Sequence, residues 1–277
     1  MLTDAHCHPL DLIRHFPGAE NQRLQSGVMA AASAASIEEF EYHERLSIQA
    51  KTNGSAPLLL CFGIHPQWGC GNAALENGST AMPHRGVGRE AEISELLAML
   101  ESLAVDGRIS AIGETGFDLY NAAFRETEEW QQEMFAGHLE IALRYELPLV
   151  IHARRAMHKI FSFSTQLKKC RAVIFHSWPG TAGEGESLLK RGVNAFFSFG
   201  TTIMLNHREA MHCCAAFPAG RLLTETDAPF QPLRGRVFST YEDLPDILKA
   251  MESLRGETGM EKIIEANFIT AFNCTKT

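Results

Sequence analysis

No apolar run in this 277-residue chain approaches the ~20 residues that a membrane-spanning helix requires. No basic stretch with a cleavage site precedes the first strand-like run, so a secretory leader is not expected. The seven cysteines (residues 7, 61, 70, 170, 213, 214 and 274) include no Cys-x-x-Cys pair. An odd, scattered set of this kind reads as reduced thiols rather than a disulfide framework, and the expected compartment is the cytoplasm. Basic residues are few: the net charge is −8, which argues against tight, non-specific binding of nucleic acid over a broad surface. A polyphosphate substrate stays open, because bound divalent cations reverse the sign of a pocket. Arg154, Arg155 and Lys159 also cluster just past His152, and Arg234 and Arg236 past Asp227. No obligate protein partner is evident.

What is present is a regular alternation. Strand-like runs fall near residues 2–7, 28–33, 58–63, 109–114, 149–153, 172–177, 194–199 and 222–227. Helical patterns fall near 36–51, 90–105, 127–146, 155–169, 181–191, 207–216, 240–255 and 260–272. The alanine-rich stretch from Val28 reads equally as strand or helix, whereas the helix through Leu139, Ile141 and Ala142 must stop by Pro148. Eight alternating pairs predict an α/β fold, a single (β/α)8 TIM-type barrel over residues 1–277, with a doubly wound open sheet as the alternative. The glycine- and asparagine-rich segment 69–89 predicts a long surface loop on the face where barrel sites are built.

Five short segments follow apolar runs and end in metal-ligand types: Asp4-Ala5-His6-Cys7-His8, Gly113-Glu114, Ile151-His152, Phe175-His176 and Glu225-Thr226-Asp227. Strand alternation puts Asp4, His6 and His8 on one face, and Glu225 with Asp227 on one face. Lone histidines are more often satisfied core or surface residues, which covers His15, His43, His84, His138, His207 and His212. Two imidazoles two residues apart on one strand are different, because a core would bury their nitrogens without partners. Converging imidazoles and carboxylates predict a divalent metal site with positions left for water and substrate. Asp227, Glu114 and Glu225 are the candidate catalytic carboxylates. Four histidines suit Zn²⁺, and a carboxylate bridge suits Mg²⁺ or Mn²⁺.

Taken in order, Asp-x-His-x-His, Gly63-Ile64-His65-Pro66, Ala111 to Asp118, Leu147 to Arg154 and Leu223 to Pro229 resemble the TatD-type metal-dependent deoxyribonucleases of the amidohydrolase superfamily. The resemblance spans essentially the whole chain. It implies an amidohydrolase-like barrel with one or two divalent cations and 3′→5′ exonuclease activity on DNA. It further implies that His6 and His8 hold the first cation, that Glu114 bridges, and that His152 and His176 hold the second. Asp227 would bind the first cation and orient the attacking water, and Glu225 would line the site or contribute a ligand. His65 would contact substrate phosphate, Arg154 is a second candidate contact, and Asp4 would support the site from behind. With an acidic surface, the expected partner is short or single-stranded DNA.

The chain departs from that family at Gln67, at Ser177-Trp178-Pro179-Gly180 and at Ser239-Thr240-Tyr241. Trp178 could stack a base at the rim or simply pack. A hydrolase of the same superfamily acting on another ester or an amide is an alternative, although strands 4 and 5 contain no lysine to bridge two metals. A barrel without catalysis is a further alternative, set against a ligand set that is complete.

Overall fold

The computed structural model describes residues 1–73 and 89–274. Eight strands are paired in parallel, in chain order: β1 (Thr3–Cys7), β2 (Met29–Ala34), β3 (Leu58–Phe62), β4 (Ala111–Asp118), β5 (Leu149–Arg154), β6 (Val173–Phe175), β7 (Ala195–Phe199) and β8 (Leu222–Thr224). The alanine-rich run after Val28 is therefore a strand. Helices follow the strands and cover the outside, as a (β/α)8 barrel requires.

Local chemistry sets the helix boundaries. Ser36 and Thr181 each close a capping box, with Glu39 and Glu184, at the heads of Ile37–Thr52 and Ala182–Lys190. The helix Leu244–Arg255 ends at Gly256, whose φ of 65° favours glycine. Two short helices, Pro9–His15 and Ala19–Gln25, occupy a stretch with no helical periodicity legible in the sequence, and the expected helix over 155–169 is broken into Met157–Ser162 and Ser164–Leu167. Of the expected 69–89 loop, residues up to Ala73 continue the 3₁₀ helix Pro66–Ala73, and 74–88 lie outside the described residues.

Two apolar layers alternate along the same strands. Leu149, Ile151, Val173, Phe175, Phe197 and Leu222 pack outward under the helices. Val150, Ile174, Phe196 and Leu223 fill the barrel, together with Ala111, Cys61 and Phe268 and Phe272 from the last helix, Met260–Phe272. Phe268 and Phe272 close the barrel from below against those interior side chains, so it is a packed core and not a pore. Among the described residues no helix is long and apolar enough to cross a membrane.

Arg23 is the largest fully buried side chain. Its Nη1 donates to the carbonyls of Val28, Ala56 and Pro57, and its Nε and Nη2 form a fork with Glu20. It thereby ties the helix Ala19–Gln25 to the entry of β2 and β3. Removing it takes this donor from the Val28 and Ala56 carbonyls and the Glu20 carboxylate, while the Pro57 carbonyl keeps the Ala30 amide, and breaking a buried pair from one side costs ~3–5 kcal/mol. Arg23→Ala is expected to lose that amount in urea unfolding, with Arg23→Lys recovering little because one ammonium cannot reproduce the fork. A midpoint shift worth under ~1 kcal/mol would refute this role for Arg23.

Candidate metal centre

The site begins where the barrel closes. Thr226, two residues past β8, donates its amide (2.9 Å) and its hydroxyl (2.6 Å) to the two oxygens of Asp4 on β1. The Asp227 amide then donates to the His6 carbonyl at 2.9 Å, and the His8 amide to the Ala228 carbonyl at 2.8 Å. These bonds lace the first strand to the chain beyond the last one. They bring Asp227 Oδ1 to 3.6 Å from His6 Nε2 and 3.5 Å from His8 Nε2, which are themselves 3.1 Å apart. The expected strand alternation does not place Asp227, because β8 ends at Thr224 and Asp227 is left-handed at φ 54°. Ser177 (φ 43°) and Gln231 (φ 56°) are left-handed beside it, a cluster of costly backbone conformations at one mouth of the barrel.

Glu114 lies at the centre. Ala111 faces the interior and Ile112 the helices, so unbroken alternation along β4 would turn Glu114 outward. The pairing with β5 shifts register between Ile112 and Thr115, which reverses the phase and turns Glu114 and Asp118 inward. Glycines permit the close packing this needs: a Cβ at Gly63 would meet the Glu114 carbonyl at 2.5 Å, and one at Gly116 the His152 carbonyl at 2.1 Å. Glu114 Oε1 lies 3.2 Å from His6 Nε2 and 3.4 Å from His8 Nε2. Its Oε2 lies 3.3 Å from His152 Nδ1, 3.4 Å from His176 Nε2 and 3.6 Å from His65 Nε2. One carboxylate thus separates two sets of imidazoles, one per oxygen.

His152 and His176 arrive by plain alternation, each two residues past an interior side chain, Val150 and Ile174. For three of the histidines, the ring nitrogen that faces away from the centre has a neighbour of its own. Ser33 Oγ is 3.1 Å from His6 Nδ1, Asp118 Oδ2 is 3.1 Å from His152 Nε2, and Glu225 Oε1 is 3.5 Å from His176 Nδ1. Such contacts fix ring orientation and raise ligand basicity. Asp118 is also held, by Gln67 Nε2 at 2.8 Å, and Glu225 Oε1 accepts from the Ser177 amide at 2.7 Å. Gln231 Nε2 donates to Asp227 Oδ2 at 2.6 Å, leaving Oδ1 for the centre.

The charges explain why these donors suit a cation. Burial disfavours ionised Glu114, yet the imidazoles around it hold its carboxyl well below the usual carboxylate range. Burial likewise opposes ionisation of Asp227, and the hydrogen bond to His8 with the imidazoles nearby brings it below its ordinary value. The demand returns on the rings. Burial should neutralise His8, but Asp227 and Glu114 raise it to about 9, and Glu225 and Glu114 raise His176 to about 10. Buried carboxylates that hold protons on neighbouring imidazoles offer the same free energy to a divalent cation. Among the described residues, three groups of donors lie close enough to hold one: His6–His8–Asp227, His6–Glu114–His176 and His65–Glu114–His152.

The centre opens into a cavity of about 610 Å³, with Arg154 in its wall and His65 within reach of Glu114. Other expectations resolve differently. Trp178 is buried against Phe175, Phe197 and Phe217 and cannot stack a base. Ser239 and Tyr241 are buried as well, Tyr241 against Cys7, so that departure builds core and not pocket. Arg236 pairs with Asp243, and His15, exposed as a surface reading expects, also lines the cavity. Sequence reasoning gave no role to Ser33, Asp118 or Gln231. Asp118 lay within a quoted motif, at even spacing from Glu114, and that spacing was the available signal. Ser33 and Gln231 carried none.

Known proteins place this geometry in a family. Residues 3–273 match the family described as TatD related DNase. An uncharacterized metal-dependent hydrolase, YjjV of Escherichia coli K12, is 27% identical over 234 residues, 84% of this chain and 81% of that protein. The 3′-5′ ssDNA/RNA exonuclease TatD of Erwinia tasmaniensis is 32% identical over 174 residues, 60% of this chain and 66% of that protein. The crystal structure of the YjjV protein superposes with a TM-score of 0.78 at 25% identity, covering 99% of this chain and 98% of that one. The match over nearly its whole length establishes that this chain belongs to the TatD-related, metal-dependent hydrolases.

Proposed function

We propose that the chain hydrolyses phosphodiester bonds in nucleic acid, as a 3′→5′ exonuclease on short or single-stranded DNA. The observation that carries this reading is the division of Glu114 between two sets of imidazoles, with Asp227 on one side. That division supports two cations, and the activity by which the Erwinia relative is named, a 3′-5′ ssDNA/RNA exonuclease, supports the substrate class. His6, His8 and Asp227 would hold one cation, His152 and His176 the other, with Glu114 shared. Two divalent cations supply positive charge against the phosphate oxygens and acidify the attacking water.

The chain's own groups do the rest. Asp227, kept ionised by His8 and the other imidazoles around it and oriented by Gln231, accepts the water's proton through Oδ1. Glu225 locks His176 and the Ser177 amide in place without needing to reach the substrate. His65 and Arg154 contact the phosphate from the cavity wall, and Arg154 is steadied by Asp118 Oδ2 at 3.4 Å. Four imidazoles favour Zn²⁺, while the carboxylates admit Mg²⁺ or Mn²⁺.

On 5′-labelled single-stranded DNA, metal-loaded protein is expected to give a ladder shortening from the 3′ end, with Asp227→Asn reducing kcat by roughly 10²–10⁴. No cleavage by protein carrying stoichiometric metal would move the substrate to another ester or an amide. Mass-spectrometric metal analysis should find two equivalents, falling to one in His176→Ala. One equivalent in both proteins would leave a mononuclear site. Asp118→Ala frees the His152 ring, and the weaker of the two cations should then bind roughly ten- to a hundredfold less tightly in a metal titration. An unchanged titration would show that Asp118 does not orient His152.

A further inference from the structure

A second cleft, of about 270 Å³, opens beside the main cavity, and both have Arg154, Ser177, Pro179 and Thr202 in their walls. Tyr120, 41% exposed, lies in it just past β4. Arg154 and Arg155 both set their guanidinium groups over that ring, at 4.2 and 4.7 Å from its centre. A π face attracts each cation only weakly at an exposed site. The pair therefore gathers like charge with little to offset it.

Anionic partners are short here. Arg154 reaches Asp118 Oδ2, an oxygen already engaged with Gln67 and His152. Arg155 has the Tyr120 carbonyl at 3.4 Å and, among the described residues, no carboxylate in ion-pair range. It also sits at φ 56°, a conformation that long side chains avoid. In a chain of net charge −8, this cationic wall stands on one side of the metal centre, and Asp11 and Glu39 line another part of the main cavity.

We propose that the Tyr120–Arg154–Arg155 cleft is a second phosphate subsite, taking the phosphate next to the scissile one in an oligonucleotide. This rests on the phosphodiesterase reading above and narrows it: the substrate is a chain with at least two phosphates, leaving the centre over the arginines. Arg155 supplies a planar fork for phosphate oxygens, and Tyr120 holds the fork in place. Diesters with a single phosphate forgo this contact.

The test compares kcat/KM of metal-loaded protein for a thymidine dinucleotide with and without a 5′-phosphate. The wild type is expected to prefer the phosphorylated form at least tenfold, mainly through KM. Arg155→Asn, chosen because asparagine tolerates the left-handed backbone, should bring the ratio near one, and Arg155→Lys should keep part of it. Calorimetric binding of the same pair with an uncharged methylphosphonate linkage reads the subsite without cleavage. It should show a 5′-phosphate-dependent affinity that Arg155→Asn abolishes. Failure to cleave either dinucleotide would sink the phosphodiesterase reading, and the binding measurement alone would then decide the subsite. Absence of any 5′-phosphate preference in rate and binding, or a preference unchanged in Arg155→Asn, would overturn it.

Discussion

Asp4 accepts hydrogen bonds from the amide and the hydroxyl of Thr226, across 222 residues of sequence. This one buried carboxylate joins the first strand to the chain beyond the last, where a parallel barrel must close without a hairpin. The flanking backbone bonds then fix His6 and His8 against Asp227. Closure and site are therefore one event: a chain that failed to pair Asp4 with Thr226 would lose its edge seal and one wall of its metal centre together. Burial raises the Asp4 carboxyl to about 7 while three hydrogen bonds favour its charged form. That balance shows how much local bonding a buried charge requires.

Around that seam, the pocket is organised as rings held from behind. Ser33, Asp118 and Glu225 each face the far nitrogen of a histidine, and they come from three different strands or strand ends. The barrel makes this possible because neighbouring strands present side chains at the same height around a common axis. The glycines that flank Glu114 and the register shift in β4 serve the same end, turning a carboxylate inward at the level of the imidazoles.

The polar centre sits on a dry base. Phe268 and Phe272 close the barrel below, and the aromatic group of Phe175, Trp178, Phe197 and Phe217 packs under the outer helices. Trp178 belongs to that packing, and Tyr241 packs in a further cluster with Cys7, Leu12 and Leu244. The arginine-lined cleft is a surface that a count of charges over the whole chain conceals.

Sequence alone located seven of the eight strands, left the alanine-rich second one open between strand and helix, and set the order of the ligand types, because alternation of apolar runs with helical stripes is a local property. It also placed His152 and His176, which follow interior residues by two, His152 within β5 and His176 one residue past the end of β6. What only the tertiary structure decided were the breaks in that pattern: the phase reversal that turns Glu114 inward, and the left-handed Asp227 beyond the end of β8. The same holds for Ser33 and Gln231, whose value comes from neighbours far away in the chain, and for Trp178, which either reading of the sequence allowed. Periodicity reports how a residue faces within its own element. Which groups meet across a closed barrel depends on register and closure, and these are set by contacts between residues that the sequence keeps far apart.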